Sequence, residues 1–243
     1  MKINILLDTP DSFLLDYVQD LISKLKKRGH NVYYFEDHQK IKQGDILIIL
    51  AGKTILSKDF LLLNKNNIVI HPSKLPEGRG GGALVWKILE GEKKIYLTLF
   101  EANEQIDKGD IYLQETIEFK GYELSDEIRN KQAKKTVEMA LKYVDKQKYI
   151  KPQKQNGEST YYRKRSPKDS LLDIDKTIRE QFNLLRVVDN KRYPAFFFFN
   201  GNKYIVKVFR ENKRISCRYN IWRRRNNSHK KSSKLSRYID TWL

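Results

Sequence analysis

The apolar residues of this chain change period in an ordered way. Residues 2–7 form a short apolar run that predicts a buried strand, and Asp11-Ser12 then offers a helix N-cap. Leu14, Tyr17, Val18, Leu21, Ile22 and Leu25 follow at helical spacing until Arg28-Gly29 ends the pattern. Asn31 to Phe35 predicts a second strand. Asp45 to Leu50 predicts a third, an unbroken apolar run of the kind buried on both faces of a parallel sheet, closed by Gly52. A short helix over 57–63 leads to a fourth strand, Asn67 to Ile70, which delivers His71 at its carboxyl end.

Beyond His71, two prolines and the stretch Gly78-Arg79-Gly80-Gly81-Gly82 exclude regular structure, and an apolar helix follows through Ala83, Val85, Trp86, Ile88 and Leu89. Strands are expected over 95–100 and 110–119, joined by a turn at Asp107-Lys108-Gly109. Ser125 caps a long helix whose buried stripe is Ile128, Val137, Ala140, Leu141 and Val144. Strands alternating with helices imply an α/β fold, a Rossmann-like, doubly wound, mainly parallel sheet whose ligands sit at the carboxyl ends of the strands. The expected organisation is an α/β domain over 1–148, a linker rich in Lys, Gln, Pro, Gly and Ser over 149–160, and a small α+β appendage over 161–209. In the appendage a helix is expected over 174–188, then paired strands over 196–199 and 204–209 turned by Asn200-Gly201-Asn202. A basic tail, 210–243, completes the chain.

Charge changes this picture in one place. The formal net charge is +18, but residues 1–150 hold 24 Lys/Arg against 22 Asp/Glu, while 151–243 hold 24 against 8. Between Arg210 and Arg237 there are 11 basic residues and one acid. Such a tail can meet a polyanion, but a solvated segment is the favoured reading and nucleic-acid binding is not. Cys217 is the only cysteine, which excludes an internal disulfide and fits a reducing, cytoplasmic setting. No stretch approaches the roughly 20 apolar residues of a membrane span. The apolar N-terminal run, interrupted by Asp8 and Pro10, is too short for a signal peptide.

The candidate chemistry lies in His71-Pro72-Ser73-Lys74-Leu75-Pro76-Glu77-Gly78-Arg79-Gly80 and, downstream, in Gln105-Ile106-Asp107-Lys108-Gly109-Asp110. A His-Pro-Ser-x-Leu-Pro segment ending a strand, a glycine-rich loop and a later Asp-x-Gly turn together resemble the N10-formyltetrahydrofolate-dependent formyltransferase family. The resemblance is close over about residues 45–118 and holds in outline on the flanks. It implies that His71 and Asp107 are catalytic. Formyl transfer to an amine requires removal of a proton from nitrogen and stabilisation of charge on oxygen, tasks suited to an imidazole whose tautomer a carboxylate fixes.

The resemblance also implies N10-formyltetrahydrofolate as co-substrate, without a metal, held largely by main chain around Leu50, Gly52, Arg79, Gly80, Gly81, Glu104, Gln105 and Ile106. Lys53, Ser73, Tyr161, Tyr162 and Arg163 are the expected substrate contacts. One departure stands out: many family members carry Asn two residues before the histidine, to hold the formyl oxygen, and this chain has Val69. Asn67 shares that strand face but lies roughly 14 Å from His71 along the strand. A main-chain N–H of Gly80 to Gly82 is the other candidate donor. The stretch Thr160 to Asp169, with its paired tyrosines and cations, looks like the segment that follows the core in nucleotide-sugar N-formyltransferases. The expected acceptor is therefore an amino-deoxysugar linked to dTDP or UDP, of the kind used in O-antigen and lipopolysaccharide biosynthesis. The alternatives are a methionyl-tRNA formyltransferase, for whose C-terminal barrel the 93 residues after position 150 are cramped, and a non-catalytic relative that binds folate or nucleotide sugar. A homodimer is a further expectation.

Overall fold

The computed structural model describes residues 1–52 and 54–211. Met1–Val208 form one compact unit around a six-stranded sheet. Four strands are mutually parallel: β1 (Lys2–Leu6), β2 (Asn31–Phe35), β3 (Gly44–Ile49) and β4 (Asn64–His71). The strands β6 (Lys94–Glu101) and β7 (Ile111–Glu118) extend the β4 edge in antiparallel sense, giving the order β2-β1-β3-β4-β6-β7. The remaining strands are short or paired apart from this sheet: β5 (Arg79–Gly80), β8 (Tyr161–Tyr162), β9 (Ala195–Phe199) and β10 (Asn202–Val206).

Strand alternation builds two apolar layers. Ile3, Ile5, Ile46, Ile48, Ile68 and Ile70 point to one face, where they pack with α1 (Leu15–Lys27), α3 (Ala83–Leu89) and the long α4 (Ser125–Lys146). Leu6, Leu47 and Ile49 point to the other, beside the short α2 (Lys58–Leu61). β3 is thus buried on both faces, as its unbroken apolar run predicts. Val69 and His71 share the second face of β4, so the histidine leaves the sheet on the side opposite α1 and α4. Among the described residues no helix is long and apolar enough to cross a membrane.

Several local expectations are corrected. α1 begins at Leu15, with Ser12 Oγ accepting from the Leu14 amide one step earlier. Leu124 is the N-cap residue of α4, and Ser125 is its first helical residue. The helix expected over 174–188 is reduced to α5 (Phe182–Val187). The cause is local competition for the backbone: Asp173 Oδ1 accepts from the Asp175 amide, Glu180 Oε2 from the Thr177 amide, and Gln181 Nε2 donates to the carbonyls of Asp173 and Lys176. The C-terminal hairpin starts and turns earlier than expected, because Asn200 (φ 48°) and Gly201 (φ 77°) complete a two-residue turn by themselves.

Candidate active site

His71 ends β4 beside Thr98 of β6. The loop that follows is tacked to the sheet: Thr98 Oγ1 donates to the Ser73 carbonyl at 2.6 Å and accepts from the Leu75 amide, while Gln114 Nε2 donates to Thr98 Oγ1. The chain then returns over the histidine. His71 Nε2 lies 2.8 Å from the Gly78 carbonyl, which can only accept, so Nε2 carries the proton and Nδ1 is the free nitrogen of the neutral ring. Nδ1 faces Asp107 Oδ2 at 3.6 Å. The two residues are 36 positions apart in sequence, and both side chains are largely enclosed, at 9% and 14% exposure.

Asp107 adopts the left-handed conformation (φ 52°), which aspartate tolerates better than most residues. Its Oδ2 accepts from the Gly80 amide at 2.8 Å, so one carboxylate oxygen joins the glycine loop to the histidine. Two close approaches explain the flanking glycines. A Cβ on Gly109 would stand 1.6 Å from the Glu101 carbonyl oxygen, and one on Gly80 2.4 Å from that of Tyr162. The loop expected to be irregular in fact forms β5, which pairs in parallel with β8 and brings Tyr161-Tyr162 against Arg79-Gly80.

The other predicted residues fare unevenly. The side chain of Leu50 is in the core, and only its main chain is left for a ligand. Gly52, Glu104, Gln105 and Ile106 occupy loops at the strand ends; Glu104 accepts from the Lys58 amide, and Ile106 is half exposed. Lys53 lies outside the described residues, as do 212–243, which make up nearly all of the basic tail. Ser73 is an enclosed loop residue, 1% exposed. Arg79 is 7% exposed, and its guanidinium donates to Gln155 Oε1 at 2.6 Å and to the Tyr161 hydroxyl at 3.0 Å.

Tyr162 stacks on Trp86 and donates to Glu90, contacts that leave it half-buried; burial and Glu90 push its phenol up to about 12. Tyr161 keeps an open ring, and its bond from Arg79 holds its phenol below the usual range. Arg163 pairs with Asp169 and lies over the Trp86 ring, with its side chain still 61% exposed. Of the donors considered for the place of Val69, Asn67 and the amides of Gly80 and Gly81 are engaged. Asn67 Nδ2 donates to the Leu61 carbonyl and to Glu101, the Gly80 amide to Asp107, and the Gly81 amide to the Tyr162 carbonyl. Val69 itself packs in the second apolar layer.

Two features escaped the sequence reading. Gln155, within the expected linker, donates from Nε2 to the carbonyls of Asp107 and Gly109, both at 2.8 Å. Glu101 is a buried carboxylate held by the Asn67 amide and the Tyr112 hydroxyl, and burial raises its pKa. Nothing in a Lys/Gln-rich stretch marks one glutamine as special, and Glu101 reads as an ordinary strand-end acid.

The arrangement can accept a proton: one arriving at Nδ1 of His71 would lie against the Asp107 carboxylate. Comparison with known proteins identifies the family. A methionyl-tRNA formyltransferase of Ehrlichia ruminantium (strain Gardel) is 28% identical over 172 residues, which are 69% of this chain and 55% of that protein. The chain thus spans about half the length of the curated relative it matches. Among solved structures, methionyl-tRNA formyltransferase from Clostridium thermocellum shares the fold at a TM-score of 0.73 and 23% identity, over 88% of this chain and 95% of that one. A 4-N formyltransferase from Francisella tularensis is similar at 0.65 and 25%, over 87% and 98%. HypX from Aquifex aeolicus in complex with tetrahydrofolic acid shares the fold at 0.67 and 19%, over 86% and 37%. Residues 17–144, more than half of the chain, match the formyl transferase family, and the chain belongs to that family.

Proposed function

We propose that this protein transfers the formyl group of N10-formyltetrahydrofolate to the amine of a nucleotide-linked amino-deoxysugar, with His71 and Asp107 as the catalytic pair. The observation that carries the acceptor is the pairing of β8 with β5. It places Tyr161-Tyr162-Arg163 as a wall beside the Gly78–Gly80 loop that holds both His71 and Asp107. The open ring of Tyr161 and the exposed cations Arg163 and Lys164 on that wall suit a nucleobase and a diphosphate. The likeness to a 4-N formyltransferase supports the same reading.

The folate supplies the formyl carbon. Family membership and the tetrahydrofolate-bound neighbour support it, and the residues present fit it. In the loops carrying Leu50, Gly52, Glu104 and Gln105, the Leu50 amide is taken by the Leu6 carbonyl and the Gln105 amide by Asn103 Oδ1, so the carbonyls there would serve the folate, and half-exposed Ile106 adds an apolar side chain next to Asp107. His71 takes the proton that leaves the acceptor amine. Its orientation is set by the Gly78 carbonyl, and Asp107 meets the positive charge that the ring then carries.

Incubation of the pure protein with N10-formyltetrahydrofolate and dTDP- or UDP-linked amino sugars is expected to yield the formylated sugar. Turnover with methionyl-tRNA alone would reject this acceptor in favour of the second reading, which the curated relatives favour. Folate binding with no product from any acceptor would leave the non-catalytic reading. A homodimer is proposed through the β9–β10 hairpin. There Phe198, Phe199, Tyr204 and Ile205 are each about half exposed, and an open groove of about 430 Å³ is lined by Leu171, Leu172, Asp173, Ile174 and Phe198. The four side chains leave apolar area on the order of 400 Å², a large share of the roughly 800 Å² each partner gives to a standard interface. Sedimentation of wild type against Phe198→Asp tests it, and a wild-type monomer at all concentrations refutes it.

A further inference from the structure

The carboxylate of the catalytic pair sits on a turn with little to hold it. Asp107 is one of two described non-glycine residues with positive φ, and the other, Asn200, lies in a tight hairpin turn. Asp107 belongs to the longer connection between β6 and β7, with exposed neighbours at Gln105, Ile106 and Lys108. Its position is defined from outside the sheet, by the polypeptide that follows α4. Gln153 exchanges both main-chain hydrogen bonds with Ile111, at 2.7 and 2.8 Å. Two residues on, Gln155 Nε2 bridges the carbonyls of Asp107 and Gly109, so one amide group grips the turn on both sides of Lys108. Gln155 is itself fixed by the enclosed Arg79, which Tyr161 holds from the other side. Arg79 and Gly80 are adjacent, and the Gly80 amide donates to Asp107 Oδ2. The loop closes: Asp107 carbonyl, Gln155, Arg79, Gly80 amide, Asp107 carboxylate.

We propose that Gln155 is a positioning residue for the transfer reaction, holding Asp107 in its left-handed conformation so that Oδ2 stays on the Gly80 amide and beside His71. This rests on the catalytic reading of Asp107. Gln155 touches neither reactant in this scheme, and it acts through the turn. Displacing the carboxylate by about 1 Å is enough to cost on the order of 10²-fold in rate. It leaves the strand end at 50–52 unchanged, and Glu104, Gln105 and Ile106, which share the Asp107 connection, lie outside the 107–109 segment that Gln155 holds.

The test compares Gln155→Leu and Gln155→Glu with Asp107→Asn in the full chain, by steady-state kinetics and by residue-resolved amide hydrogen exchange without ligands. Gln155→Glu keeps a partner for Arg79 but turns a carboxylate toward two carbonyls. Both Gln155 variants are expected to lose kcat by about 10 to 100-fold, with KM for N10-formyltetrahydrofolate within about 3-fold of wild type. In both, the Gly80 amide exchanges at least tenfold faster, while the Gly81 amide, bonded to Tyr162, and the Arg79 amide, bonded to Thr160, keep their protection. Wild-type protection of Gly80, wild-type kcat in Gln155→Glu while Asp107→Asn is impaired, or joint loss of protection at Arg79, Gly80 and Gly81 would each overturn the proposal. Fast exchange at Gly80 in the Gln155 variants, with wild-type kcat there and in Asp107→Asn, upholds the positioning of Asp107 and overturns its catalytic role.

Discussion

Replacing Gly109 with alanine tests whether the Asp107 turn is held as tightly as its contacts imply. The added methyl would stand 1.6 Å from the Glu101 carbonyl oxygen, and Cβ contacts below 3.0 Å essentially never occur, so the turn must move by at least about 1.4 Å. Gly109 has no positive φ, and the cost is therefore steric. That movement breaks the 2.9 Å bond from the Glu101 amide to the Asp110 carbonyl and the Gln155 bond to Gly109. Overpacking of this kind costs about 1 to 3 kcal/mol, or roughly 3 to 10 °C in Tm for a unit of this size. With Asp107 two residues away, its 3.6 Å approach to His71 does not survive, and kcat should fall by about 10². Thermal melts and single-turnover formyl transfer against wild type measure both. A stable Gly109→Ala protein with kcat within about twofold of wild type would refute the tight-turn reasoning.

Three further outcomes are expected. Asp107→Asn and His71→Asn should each lower kcat by about 10²-fold, and the double variant by little more than the worse single one, since the groups act as one unit; additive losses in the transfer assay would count against a pair. Removing the enclosed Arg186, whose Nη1 lies 3.8 Å from Glu123 Oε2, as Arg186→Met should cost about 3 kcal/mol in urea unfolding, and a loss under about 1 kcal/mol would mean the ion pair contributes little. The Glu123 carboxyl is enclosed, which disfavours its charge, yet Lys131 and the amides of Lys120 and Gly121 outweigh this and hold its pKa at about 2. Because the folded value is depressed, Glu123 stabilises the fold by about 3 kcal/mol above the ordinary carboxylate range, and this is lost as pH falls through that range toward 2. The stability gap between wild type and Glu123→Gln should close over that window, and a gap constant with pH would contradict the account.

Periodicity along the chain revealed the parallel strands because each must bury apolar residues on both faces of the sheet, and the run from Ile46 to Leu50 can do nothing else. It also placed His71, since a strand ending in a polar residue before two prolines has few alternatives. It failed where side chains bargain with the backbone locally. Asp173, Glu180 and Gln181 spend their polar atoms on nearby main-chain groups and dissolve the first turns of an otherwise helical pattern. It failed also where a residue's role is conferred by distant chain. Arg79 is expected beside the folate, and its engagement by Gln155 and Tyr161, more than 70 positions away, leaves no local trace. Gly80 and Gly109 were read as turn residues, whereas each is required by a carbonyl arriving from another segment.

The family match ends at residue 144, yet the polypeptide that grips the Asp107 turn and walls the glycine loop runs from about 153 to 162. In the proposed reading, reaction chemistry and acceptor choice are therefore encoded in separate but interlocking stretches. A chimera spliced at the end of α4 would import a foreign lock for its own carboxylate along with a foreign acceptor wall. One spliced just beyond Tyr162 would keep the lock and the tyrosines of the proposed wall native, and would exchange Arg163, Lys164 and what lies downstream.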